Sequence, residues 1–148
     1  MQYQSTTTIR AYLARFVALG VAALLTLSLA QIANANSYTR GQHIEPAYEG
    51  WRPNEDGTFS FMFGYQNENW VEEPDVEIGP NNMFSPGEAD RGQPTHFLPR
   101  RNRFTFEVKV PADWGDRELV WTLKVNGVER KAYATLKQDY QVDNIVNR

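Results

Sequence analysis

The sequence contains no cysteine, only two histidines (His43 and His96), and no excess of basic residues. Without cysteine there is no disulfide staple, no thiolate metal site, no cysteine nucleophile and no lipid-anchored N-terminal cysteine. Two imidazoles leave little for zinc or copper, and neither a metal nor a cofactor is expected. Fifteen Lys+Arg against 18 Asp+Glu, a net charge of −3, lack the basic face that phosphate backbones require, so no nucleic-acid partner is expected. A chain of 148 residues suffices for one ordinary domain and is too short for two comfortable ones.

The only long apolar run is near the start. Residues 1–15 carry Arg10 and Arg15 and no acid, residues 16–30 are apolar but for Gly20, Thr26 and Ser28, and Ala33-Asn34-Ala35 follows. A positive leader, a short apolar stretch and an A-x-A exit predict a secretory signal peptide over 1–35. As a helix the run would reach only about 22 Å, short of the roughly 30 Å hydrocarbon core, so no membrane insertion of the mature form is expected. Loss of Arg10 and Arg15 moves the net charge from −3 to −5. A cysteine-free exported domain fits a bacterial periplasm or cell surface.

The remainder alternates. Phe59, Phe61, Phe63 and Tyr65 stand against Ser60, Met62 and Gly64; Phe104, Phe106, Val108 and Val110 against Thr105, Glu107 and Lys109; Leu119, Trp121, Leu123 and Val125 against Glu118, Thr122 and Lys124. Period two predicts antiparallel strands with one face covered and the other wet. Asn126-Gly127 between valines predicts a type I′ hairpin joining strands 118–125 and 128–137. Turns at 53–57 and 111–116 separate strands near 44–51, 58–66 and 104–110, and 71–78 is a further strand, placed at an edge or bulge by Pro74. Between 79 and 101 the alternation fails among four prolines, which predicts a crossing between sheets with 96–98 as a short strand inside it. About seven short strands predict an immunoglobulin-like antiparallel β-sandwich over 46–137, after an N-terminal extension 36–45 and before a polar tail 138–148.

Candidate chemistry is sparse. There is no G-x-S-x-G turn and no base beside a nucleophile, so no enzyme is expected; His96 reads as a partly buried loop histidine bonding to backbone. Acids at 72–77 and 54–56 offer oxygens for calcium without the EF-hand spacing. Trp121 reads as core, whereas Trp70 and Trp114, in or beside turns, are the candidates for stacking on a sugar ring. Arg100, Arg101 and Arg103 form the one basic cluster, suited to gripping a carboxylate or an anionic polysaccharide, or to pairing with Glu72, Glu73 or Asp75 on a neighbouring strand. Phe84 and His96, inside the crossing segment, complete the set of candidate interaction residues.

Five strings in order, Phe63-Gly64-Tyr65-Gln66-Asn67, Ile78-Gly79-Pro80-Asn81-Asn82, Phe84-Ser85-Pro86-Gly87, Arg91-Gly92-Gln93-Pro94-Thr95 with Phe97, and Leu119-Val120-Trp121-Thr122-Leu123, resemble a poorly characterised module of bacterial secreted and surface proteins. The resemblance covers roughly 47–133 and implies an immunoglobulin-like fold and export, without an activity or catalytic residues. Its glycines and prolines read as fixing the crossing segment rigidly. The sequence as a whole predicts an exported, non-enzymatic structural or protein-interaction module of the bacterial envelope. Its partner would be another envelope or extracellular protein or a second copy, joined through edge strands, with 36–45 available as a donated strand. The alternative is a carbohydrate-binding module.

Overall fold

The computed structural model describes residues 38–142; the expected signal peptide, residues 36–37 and the end of the tail lie outside them. The described residues are all-β, with six strands: β1 (Ile44–Pro53), β2 (Phe59–Asn67), β3 (Asn82–Ser85), β4 (Arg100–Val110), β5 (Leu119–Val125) and β6 (Val128–Ala134). They form two antiparallel three-stranded sheets, ordered β1-β2-β4 and β3-β5-β6. A single 3-10 turn, Gln138–Tyr140, follows.

The three alternating runs sit where period two places them. Phe61, Phe63, Val108, Val110, Leu119, Trp121 and Leu123 are all buried, whereas Phe104, at a register shift with a left-handed φ of 49°, is only partly covered and falls outside the core cluster. The core is largely aromatic. Phe63 stacks on Phe106 at 5.4 Å and meets Phe84 edge-on at 5.2 Å, while Trp121 stacks on Phe84 at 5.9 Å and meets Phe106 edge-on at 5.0 Å. Such offset and edge-to-face pairs add to the burial of the rings themselves. Rings therefore do the joining of the two layers that a disulfide does in many exported domains.

Asn126 and Gly127 both take positive φ, 50° and 78°, and Val125 pairs with Val128, so the predicted hairpin forms. Four expectations change. Residues 71–78 make no strand; they contribute the lone antiparallel bridge Asp75–His96, because Pro74 denies a donor to any longer ladder. Residues 96–98 likewise reduce to that bridge. The crossing segment instead contains β3, whose Phe84 sits opposite Trp121. The count is accordingly six strands, not seven. Finally, β2 is buried on both faces, since Ser60 and Met62 on its second face are also covered. Its neighbours Arg52 and Glu107 reach across that face to pair at 3.0 Å, and long charged side chains shield apolar surface with their stems.

Residues 38–45 are not a free extension. Tyr38 and Thr39 carbonyls accept the backbone N–H groups of Trp70 and Val71, at 3.1 and 3.2 Å, His43 accepts from Glu68, and Ile44 and Glu45 already belong to β1. Donation of this stretch to a neighbour would forfeit those bonds.

Candidate functional site

One end of the two-sheet stack gathers the unusual chemistry. It is formed by the end of β2, the start of β4, the β5–β6 turn and the segments 38–43, 68–81 and 94–99.

Its frame is a set of buried side-chain amides. Asn67 donates from Nδ2 to the carbonyls of Glu72 (2.9 Å) and Phe97 (3.2 Å), while its Oδ1 accepts from the N–H and Nδ2 of Asn69. Asn69 accepts from the Gln42 N–H at 2.7 Å and donates to the Gln42 carbonyl at 3.0 Å. Asn82 donates to the Val76 and Pro94 carbonyls, each at 2.9 Å, and accepts from the Trp121 indole at 3.0 Å. Gln93 donates to the carbonyls of Ala89 (2.8 Å) and Asn82 (3.4 Å) and accepts from the Arg91 N–H at 2.7 Å. A buried amide left unpaired costs about 1–3 kcal/mol, so each satisfied side chain fixes two or three chain segments at once. Asn67, Asn82 and Gln93 lie in strings singled out in the sequence, and Asn69 two residues beyond one of them, but their burial leaves no periodic trace.

On this frame Trp70 stands outward. Its ring is 61% exposed, and the Arg100 guanidinium lies 4.6 Å above it. Arg100 takes a left-handed φ of 69° opposite Asn67, which turns its side chain out of the ladder. Tyr38, Val71 and Leu98 are exposed as well. Tryptophan, tyrosine and arginine are the residue types that dominate protein-interface energetics.

The other candidates fall elsewhere. Trp114 is only 5% exposed: its ring meets Phe61 edge-on at 5.8 Å and its indole N–H donates to the Arg117 carbonyl at 2.8 Å. It is a core residue at the opposite end and presents no face to a sugar. Phe84 is fully buried between Phe63 and Trp121 and is likewise part of the core. Arg101 pairs with Glu49 rather than with Glu72, Glu73 or Asp75, and its Nη1 donates to the Tyr65 carbonyl at 3.2 Å. The reason is local: Glu49 stands at a register shift in β1, and Gly64 on the intervening strand has no Cβ to collide with its carboxylate or with the Asn102 carbonyl. Arg103 is exposed.

His96 is half exposed rather than bonded to backbone. Its Nδ1 lies 2.7 Å from Asp75 and its Nε2 3.0 Å from Glu73, so two carboxylates embrace one imidazole. Asp75, and then Glu73, raise its pKa above the ordinary histidine value by bonding to the charged ring. With Val76 N–H to Thr95 and Phe97 N–H to Pro74, this pair clasps 73–76 to 95–97. Beside the clasp runs a cleft of about 570 Å³ where Glu72, Asp75 and Glu77 face Lys124 and Asn126. Four of the acids considered for calcium are engaged: Glu72 accepts from the Gly41 N–H, Glu73 and Asp75 from His96, and Asp56 from Thr58 and Lys109. Among the described residues no group of three His, Cys, Asp or Glu side chains is placed to hold a metal ion.

His43 bonds Glu45 at 2.8 Å, and Glu45 also receives Arg130 at 2.6 Å. Both histidines are thus engaged by carboxylates. Among the described residues no helix is long and apolar enough to cross a membrane. No family model, no curated protein and no solved structure matches the chain, so the surface around Trp70 and Arg100 is read from its own geometry.

Proposed function

We propose that the chain is an exported, non-enzymatic interaction module of the bacterial envelope, with an immunoglobulin-like fold, that docks a partner protein through the end bearing Trp70 and Arg100. The sheet orders support the fold: β1-β2-β4 and β3-β5-β6 correspond to strands A-B-E and C-F-G of an immunoglobulin sandwich with strand D left out. Export rests on the arrangement of residues 1–35. A binding role is favoured over catalysis because both ring nitrogens of His96 are taken by carboxylates, which leaves neither to act on a nucleophile.

The observation that carries the reading is Trp70, an exposed ring held in place by backbone that Asn67 and Asn69 anchor from below. A ring fixed before binding loses little freedom on docking, which is how preorganised interfaces gain affinity. The carbohydrate reading retains Trp70 alone, with Arg100 over one face of that ring.

Trp70→Ala and Arg100→Ala, compared with the unaltered chain as bait on the producing cell's own envelope fraction, test the proposal. One protein held by the unaltered bait and released by either variant is the expected result. Retention that ignores both substitutions would overturn the docking surface, and glycan binding quenched through Trp70 without any retained protein would favour the carbohydrate reading.

A further inference from the structure

The four outer strands of the two sheets are not equally finished. The edge of β1 receives the end of the described chain, with the Val142 N–H donating to Trp51 at 3.0 Å and Gln141 bridging Trp51 in parallel. The edge of β3 is occupied by its own loop, through the Phe84 N–H and the Ala89 carbonyl at 2.9 Å. Strand β6 presents Glu129-Arg130-Lys131, and Arg130 ties it to β1 through Glu45. Covering, pairing or charging an edge is how monomeric sheets avoid each other.

Strand β4 differs. Among the described residues its hydrogen-bonded neighbour is β2 alone, although it is the longest strand, at 11 residues. In a complete immunoglobulin-type sandwich strand D would lie along this edge; here residues 86–99 run elsewhere to form the amide-braced loop. The first half of the edge is irregular, because Phe104 takes a left-handed φ of 49° and the register with β2 shifts between Phe63 and Tyr65. The second half, from Phe106 to Val110, is regular, and Phe106 remains partly exposed at this open side.

We infer that the 106–110 edge of β4 pairs antiparallel with the same edge of a second copy of this chain, about a two-fold axis through Val108. The alternation of charge selects that partner and that register. With Val108 opposite its own copy, Glu107 stands opposite Lys109 and Lys109 opposite Glu107, giving two opposite-charge cross-strand pairs that extend the pairs already made with Arg52 and Asp56, while Phe106 faces Val110 on the inner side. Moving the two-fold axis one or two residues towards the strand's start loses this match, since it brings Glu107 opposite itself or Arg103 opposite Lys109. The sign alternation that repels a uniformly charged edge is here complementary to itself. Two β1-β2-β4 sheets would join into one continuous six-stranded sheet with the two Trp70 surfaces remaining free. This inference rests on reading the chain as an interaction module, and it concerns a different surface from Trp70.

The test expresses the full chain, purifies the form the cell accumulates and measures its mass by sedimentation over a range of concentrations. A dimer at tens of micromolar is expected, with concentration-dependent protection of the 106–110 amides against hydrogen exchange. Lys109→Glu places like charges opposite each other twice and should weaken the dimer by about tenfold or more. The double exchange Glu107→Lys with Lys109→Glu restores opposite signs and should recover dimerisation, with circular dichroism and urea midpoints confirming that both variants fold. A monomer at every concentration, or a dimer indifferent to Lys109→Glu, overturns the inference. Trp70→Ala leaves the dimer unchanged in either case, which separates this result from the fate of the docking surface.

Discussion

Trp70 and Trp114 occupy comparable sequence surroundings, each in a polar loop, and each carries an arginine guanidinium 4.6 Å from its ring. One is 61% exposed and the other 5%. The difference lies in what anchors each loop. Segment 68–71 is held by its backbone, which Asn67, Asn69 and the 38–43 stretch satisfy, so the Trp70 ring is not needed for packing. The loop between β4 and β5 has no such buried amide; its anchor is the Trp114 ring itself, edge-on to Phe61 and locked by the Arg117 carbonyl, with Arg117 in turn bonded to the Trp114 carbonyl at 2.8 Å. Buried carboxamides release an aromatic for other work, whereas their absence commits it to the core.

The largest test of this contrast is a pair of truncations. Trp114→Ala should cost about 3–5 kcal/mol, the usual loss for a buried large aromatic, while Trp70→Ala should stay within about 0.5 kcal/mol, as for other surface changes. Urea midpoints measure both, and similar losses would erase the distinction. Next in size, Asn67→Ala strands the Glu72 and Phe97 carbonyls and the Asn69 amide. A loss of about 1–3 kcal/mol is expected, together with faster amide exchange at Trp70 and Val71 but not at Trp114. If exchange at Trp70 stays slow, the amides are not what holds its loop.

The smallest effect is pH-dependent. His96 has its pKa raised by Asp75 and Glu73, so its contribution is fully present below the unfolded histidine value of about 6.5 and is lost as pH rises through the folded value. The Trp70 end should therefore loosen as pH climbs from mildly acid to mildly alkaline, and His96→Gln should remove that slope from the melting temperature. Parallel curves for the two proteins would show that the exposed clasp contributes nothing measurable, as is common for surface pairs.

The strands were legible wherever one face is apolar and the other polar: the alternation holds over Phe106 to Val110 and Leu119 to Val125, as does the Asn126-Gly127 hairpin, and it breaks at Phe104, where the register shifts. Strand β3 was not, because four residues beside prolines make too short a run for a period to register. The second buried face of β2 was hidden for another reason, since serine and methionine there are covered by charged side chains whose reach no alternation reveals. At the candidate site, Trp70 and Arg100 were visible as residue types. Their juxtaposition depends on the left-handed turn at Arg100 and on the buried amides, which are long-range facts. Trp114 shows the converse: a turn context says where the backbone goes and not where the ring does.

The position of β2 has one more effect. A central strand covered on both faces has no room for charge, and residues 59–67, Phe-Ser-Phe-Met-Phe-Gly-Tyr-Gln-Asn, contain none. Aromatic, β-prone and uncharged, that stretch has the composition of segments that stack into cross-β fibrils when unprotected. In the native fold β1 and β4 flank it with Arg52, Glu107 and Lys109. Before those strands dock it has no such guard, so rapid collapse of the first hairpin is what would keep the unfolded chain clear of the fibrillar trap.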